Sequence, residues 1–145
     1  MNAHTINILL VEDSVGDIRL TQEAFKEAKV NNQLSVCKDG VEAMAFLHKE
    51  GDYANSPTPD LILLDLNMPR KNGMEVLSEI KASSNLQTIP VVILTTSAAE
   101  SDIAKSYGLS ANCYISKPVD FDQFVNVIQS IENFWLTVVK LPKAG

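Results

Sequence analysis

The sequence predicts an α/β fold whose strands lie parallel in one sheet. Four short apolar runs recur along the chain: Ile8-Leu9-Leu10-Val11, Leu61-Ile62-Leu63-Leu64, Val91-Val92-Ile93-Leu94 and Cys113-Tyr114-Ile115. They are continuous rather than alternating. A run that is apolar at every position suits a strand covered on both faces, as in a parallel sheet with helices above and below. Segments of helical periodicity separate the runs, so strands and helices alternate.

The first strand ends at Glu12 and Asp13. Ile18, Leu20, Thr21, Ala24, Phe25 and Ala28 then repeat at helical spacing and predict a helix over about 14–28. A weaker strand candidate covers 33–37. Val41, Ala43, Met44, Phe46 and Leu47 predict a second helix after Gly40. The segment 50–59, with Gly51, Ser56, Pro57 and Pro59, reads as a surface loop and is the longest connection. The strand at 61–64 runs into Asp65. Met74, Val76, Leu77 and Ile80 predict a third helix after Gly73. The strand at 91–94 runs into Thr95, Thr96 and Ser97. Ile103, Ala104 and Tyr107 predict a fourth helix stopped by Gly108. The last strand runs into Ser116, Lys117 and Pro118. Asp120-Phe121-Asp122-Gln123 has the pattern of a capping box and predicts a fifth helix to about Trp135.

A chain of 145 residues is the length of one ordinary domain. Its net charge of −6 argues against sequence-independent nucleic-acid binding, which needs a basic patch, and against anionic lipid. Cys37 and Cys113 are the two cysteines; they form no C-x-x-C pair and read as small reduced apolar residues. The N-terminal Met1-Asn2-Ala3-His4-Thr5 lacks the basic-then-apolar layout of a signal peptide. The apolar runs are far shorter than the roughly 20 residues a membrane span needs. A cytoplasmic protein is expected.

In a parallel sheet all strands end on one edge, where open α/β sheets bind their ligands. Glu12, Asp13 and Asp65 are therefore expected to converge with the hydroxyls of Thr95, Thr96 and Ser97 and the ammonium of Lys117. Converging carboxylates either share protons or hold a cation. An all-oxygen site with open positions suits Mg²⁺, and Mn²⁺ accepts the same donors. A hydroxyl and a lysine beside it match a phosphoryl group. The chemistry expected of such a site is attack of a carboxylate on phosphorus, giving an aspartyl phosphate.

These residues together resemble a known family. Glu12-Asp13, then Asp65-Leu66-Asn67-Met68-Pro69 with Gly73, then Thr95, then Lys117-Pro118, are similar to the receiver domain of two-component response regulators. The resemblance spans about 6–135. It implies a doubly wound, flavodoxin-like (CheY-like) fold with a five-stranded parallel sheet in the order 2-1-3-4-5. It implies one receiver domain over 1–145, with 136–145 as an apolar C-terminal extension. It makes Asp65 the phosphoacceptor, Asp13 a direct metal ligand and Glu12 a ligand through water, and gives the Asn67 carbonyl to the same Mg²⁺. Thr95 becomes the switch hydroxyl, Tyr114 the aromatic switch position, and Lys117 the partner of Asp65 and then of the phosphate. Thr95 and Tyr114 are expected to act on the face made by the fourth and fifth predicted helices and the last strand. A cis bond before Pro118 is implied as well. Thr96 stands where the family commonly has a smaller residue, and Asn67 and Ser97 lie where it tunes loss of phosphate. The implied function is a single-domain regulator that takes phosphate from a sensor histidine kinase in a phosphorelay and signals by protein contacts. It catalyses its own phosphorylation and dephosphorylation and turns over no external metabolite.

The C-terminal end carries more apolar residues than one buried face needs. Phe121, Phe124, Val125, Ile128, Ile131 and Trp135 form one stripe, and Val127, Phe134 and Val138 drift off it. Leu136 to Leu141 continues apolar. A homodimer through Phe121, Phe134, Trp135, Leu136 and Val138 is the expected use of this surface. The helix end, the tail and Tyr53-Ala54-Asn55 are also similar to stand-alone regulators paired with cyanobacterial phytochrome histidine kinases. That resemblance implies a phytochrome-type kinase as phosphodonor, with the pigment on the kinase and not on Cys37 or Cys113. Two rival readings are a receiver-like scaffold that takes no phosphate and a small metal-dependent phosphatase with an Asp nucleophile. The phosphatases commonly place a second Asp two residues after the first as general acid; Asn67 stands there and cannot titrate.

Overall fold

Strands apolar at every position need cover on both sides, and helices supply it here on two faces of one sheet. The computed structural model describes residues 5–66, 72–95, 113–116 and 120–134. In chain order come β1 (Ile6–Val11), α1 (Val15–Ala28), β2 (Asn32–Cys37), α2 (Gly40–Leu47), a 3-10 turn (Gly51–Tyr53), β3 (Leu61–Asp65), α3 (Gly73–Ala82) and β4 (Val91–Thr95). They are followed by β5 (Cys113–Ser116) and a last helix, α4 (Phe121–Phe134). The helix expected around 103–108 lies outside the described residues.

β1 pairs in parallel with β2 on one side and β3 on the other, and β3 pairs with β4, so the strand order is β2-β1-β3-β4. Backbone pairing continues from β4 to Cys113–Ser116, with Val92 opposite Cys113 and Thr95 opposite Ser116. The connections out of β1 and β3 run to opposite sides, which opens a crevice at the C-terminal ends of those two strands.

Alternate residues of each central strand enter different cores. Ile8 and Leu10 join Leu61, Leu63, Ala24, Phe25, Phe124 and Ile128 on the face covered by α1 and α4. Leu9 and Val11 join Ile62, Leu64, Phe46, Val76, Leu77 and Ile80 on the face covered by α2 and α3. Burying each such side chain contributes roughly 1.5–3 kcal/mol. β2 is an edge strand whose residues are mostly half-buried, and its sequence is correspondingly less apolar.

Each helix start has a side-chain acceptor. Ser14 Oγ accepts from the Asp17 N–H at 3.3 Å, Asp39 from Glu42 at 2.8 Å and Asp120 from Gln123 at 3.0 Å. The reciprocal capping box lies at α3, where Asn72 accepts from the Glu75 N–H and Glu75 accepts from the Asn72 N–H, both at 3.0 Å. The segment 50–59 lies mostly at the surface, as its composition predicts, and is tied back at a few points. Tyr53 stacks at a tilt on Phe46, with ring centroids 5.3 Å apart, and Pro59 is buried. Ser56 Oγ donates within reach of the Phe46 and Tyr53 carbonyls, at 3.1 and 2.8 Å.

On α4, Phe124 and Ile128 are fully buried, while Phe121 and Val125 are half-buried against the same core. Phe121, expected at an interface between copies, is thus partly engaged within its own domain. Phe134 is described only as the last backbone residue of α4; Trp135, Leu136 and Val138 lie outside the described residues. Among the described residues no helix is long and apolar enough to cross a membrane.

Candidate metal centre

β1 and β3 are neighbours in register, with Val11 opposite Leu64. The residues that follow those partners are Glu12 and Asp65, so strand pairing alone brings the two carboxylates to one edge. Asp13 follows directly. Carboxylate oxygens of Glu12, Asp13 and Asp65 lie within 4.8 Å of one another. Glu12 is 0% exposed and Asp65 2%, whereas Asp13 is open to solvent. The chain has therefore buried two acids and set a third at the mouth.

Local backbone bonds hold these positions. The Glu12 N–H donates to the Cys37 carbonyl at 2.9 Å, tying the end of β1 to the end of β2. Glu12 Oε2 accepts from the Ser14 N–H at 3.2 Å, in the turn that starts α1. Behind Asp65, the Leu66 N–H donates to the Leu94 carbonyl at 3.1 Å and the Gly73 N–H to the Leu66 carbonyl at 3.2 Å. A Cβ on Gly73 would collide with the Asp65 carbonyl oxygen and lie 2.5 Å from the Leu66 Cα. Only a glycine lets α3 start this close to the strand that carries Asp65.

Three acids this close oppose one another. At an effective dielectric near 20, a pair of charges at such a distance repels by roughly 3 kcal/mol. A hard divalent cation reverses the sign of that interaction, and the all-oxygen donor set with one solvent-facing member suits an ion that keeps several waters. Two oxygens bound directly to one Mg²⁺ are at most about 4.2 Å apart, since each bond is about 2.1 Å. A trio spread over as much as 4.8 Å leaves room for one member to reach the ion through water.

The backbone of Thr95 ends β4 on the same edge, one residue past Leu94, which lies opposite Asp65. Tyr114 lies opposite Ile93, further inside the sheet. For both, the backbone is described and the side chain is not. Asn67, Thr96, Ser97, Lys117 and Pro118 lie outside the described residues. Sequence reasoning missed Asn72, whose capping box fixes the start of α3 behind Asp65, although the Asn-x-x-Glu spacing was available as a signal. It also missed Glu42, which accepts from the Lys38 N–H at 2.8 Å and from the Tyr53 hydroxyl; nothing in their spacing marks that pair.

Known proteins share both the sequence and the geometry. The response regulator receiver domain family matches residues 8–129. The response regulator Rcp1 of Synechocystis sp. is 52% identical over 137 residues, which cover 94% of this chain and 93% of Rcp1. The crystal structure of the phosphorylated cyanobacterial phytochrome response regulator RcpA superposes with a TM-score of 0.81 at 50% identity, covering 97% of this chain and all of RcpA. The Mn²⁺-bound form of Rcp1 superposes with a TM-score of 0.79 at 51% identity, covering 95% of this chain and 99% of that structure. With buried acids at the β1/β3 crevice, a parallel flavodoxin-like sheet and these similarities in hand, the chain belongs to the response regulator receiver domain family.

Proposed function

We propose that Asp65 accepts a phosphoryl group from a phosphohistidine of a sensor histidine kinase, with Mg²⁺ beside it, and that the phosphorylated chain signals through protein contacts. The observation that carries this reading is the carboxylate trio at the β1/β3 crevice, two of its members buried. It has further support in the phosphorylated state of RcpA and the Mn²⁺-bound state of Rcp1, the two similar structures.

One Asp65 oxygen attacks phosphorus in line with the phosphorus–nitrogen bond of the donor. A phosphorus–oxygen bond forms as that bond breaks, and the departing imidazole nitrogen takes up a proton. Glu12 and Asp13 hold the cation with Asp65, and the Asn67 carbonyl joins them. When bound, the cation offsets the charge of the carboxylates and the phosphoryl oxygens. Lys117 pairs with the phosphoryl group from the end of the last strand, and the Thr95 hydroxyl moves to one of its oxygens. Phosphorylation adds about −1.5 to −2 charge. Thr95 and Tyr114 answer it and alter the surface around the last strand and α4. The chain acts on itself and on its kinase, not on a free metabolite.

The wider reading is one cytoplasmic receiver domain over 1–145, with a five-stranded sheet in the order 2-1-3-4-5. The pairing of Cys113–Ser116 with β4 supports the fifth position. The kinase is of phytochrome type, by similarity to RcpA. Two copies associate through Phe121, Phe134, Trp135, Leu136 and Val138, with 136–145 as the apolar extension. The test is incubation with a small phosphodonor, with and without Mg²⁺, beside Asp65→Asn, read as intact mass. A single Mg²⁺-dependent phosphoryl adduct on the parent alone is expected. No adduct, or an equal one on Asp65→Asn, would return the chain to a scaffold without phosphate chemistry.

A further inference from the structure

Tyr53 sits in the 3-10 turn after α2, yet its hydroxyl reaches back along that helix to Glu42 in the first turn. Its ring lies on Phe46, one turn further along. The Glu42 carboxylate is thereby shared. Oε2 accepts from the Tyr53 hydroxyl, and Oε1 accepts from the Lys38 N–H, the first residue after β2. The Tyr53 hydroxyl and the Glu42 carboxylate thus hold the backbone one residue past the end of β2. The Cys37 carbonyl is what receives the Glu12 N–H.

We propose that Tyr53 is a positioning residue for the carboxylate site, acting through Glu42 and the end of β2 to fix the backbone from which Glu12 is presented. The inference rests on the reading of Glu12, Asp13 and Asp65 as a cation site. Its physical basis is burial: Glu12 is wholly enclosed, so it cannot swing to meet an ion unless its backbone is already in place. A charge-assisted bond from a phenol to a carboxylate is among the stronger hydrogen bonds available for holding such a backbone. Phe46 and Ser56 hold the turn itself; the hydroxyl is the part that reaches Glu42 and, through it, the Lys38 N–H just past β2.

The test is Mn²⁺ titration of the full chain by calorimetry, with thermal unfolding of the metal-free proteins alongside. Tyr53→Phe keeps the ring on Phe46 and removes only the hydroxyl. Ser56→Ala loosens the same turn without touching Glu42. Asp13→Ala sets the scale for loss of a ligand. Tyr53→Phe is expected to weaken Mn²⁺ binding about three- to tenfold, less than the ~10–100-fold seen when a partner bonded directly to a metal ligand is removed. Ser56→Ala is expected to lower the unfolding temperature while leaving Mn²⁺ affinity unchanged. Parent-like affinity in Tyr53→Phe, with or without lost stability, makes the bond merely structural and overturns the proposal. Equal weakening in Ser56→Ala overturns it too, because the turn and not the hydroxyl is then responsible. A parent that binds no Mn²⁺ removes the cation reading itself and this inference with it, an outcome distinct from the other two.

Discussion

Glu12 and Asp65 stand side by side because the register of β1 and β3 puts the residues that follow Val11 and Leu64 at one edge. Which residue types meet at that edge was legible in the sequence, since each follows an apolar run. The degree of burial was not, because it depends on how closely α1 and α3 begin beside the strand ends. The Cys37 thiol was read as small, reduced and apolar, and it is free and buried; burial pushes its pKa up to about 12, with the nearby Glu42 charge adding to the shift and the Tyr53 hydroxyl opposing it. The Tyr53 hydroxyl is pushed up as well, chiefly by its bond to Glu42 and then by burial. Both groups hold their protons more tightly folded than unfolded. The stability this gives is complete below the ordinary thiol value of 9.0 and declines as pH rises toward about 12. Urea unfolding between pH 8 and 11 is expected to show falling stability in the parent and a shallower fall in Cys37→Ala. Equal slopes would assign the alkaline loss to other groups.

Helix starts in this chain depend on single side chains, and α3 is the most consequential for the site. Its capping box at Asn72 and Glu75 secures the turn that Gly73 allows to sit against Asp65. Asn72→Ala is expected to destabilise the fold by about 1 kcal/mol, the usual value of an N-cap, measured by denaturant unfolding. A change under a few tenths would mean that the cap is replaced by solvent. The sequence predicted this helix from Met74, Val76, Leu77 and Ile80 and placed a capping box only at 120–123. Of that expected box, the Asp120 acceptor is in place. β2 was the faintest strand for a physical reason: an edge strand covered on fewer sides needs fewer apolar residues. The segment 50–59 lies mostly at the surface, as its Gly, Ser and Pro content predicts; the contact that ties it back was not legible, because it comes from one aromatic side chain, Tyr53 on Phe46.

Across the whole molecule the charge of −6 has two unlike parts. Many of the acids lie on exposed positions, and three converge at one crevice. The alternation of strands and helices carried the fold class directly, because continuous apolar runs force a doubly covered sheet and doubly covered sheets bind ligands at one edge. How the apolar C-terminal end is covered does not follow from periodicity. Phe121 is half-buried against its own core, so only part of its ring is open to the proposed contact between copies. Removing 136–145 is expected to convert a dimer into a monomer in solution, read by sedimentation or light scattering. The same monomeric mass before and after removal would end the interface proposal.

On the reading proposed here, Asp65 takes the phosphoryl group in a cation-dependent reaction. Hydride reduction of the phosphorylated chain converts an aspartyl phosphate to homoserine, and peptide mapping then locates it. Homoserine is expected at Asp65, formed with Mg²⁺ and absent without it. Homoserine at another position, or equal labelling without a divalent cation, would rule out Asp65 as the cation-dependent phosphoacceptor.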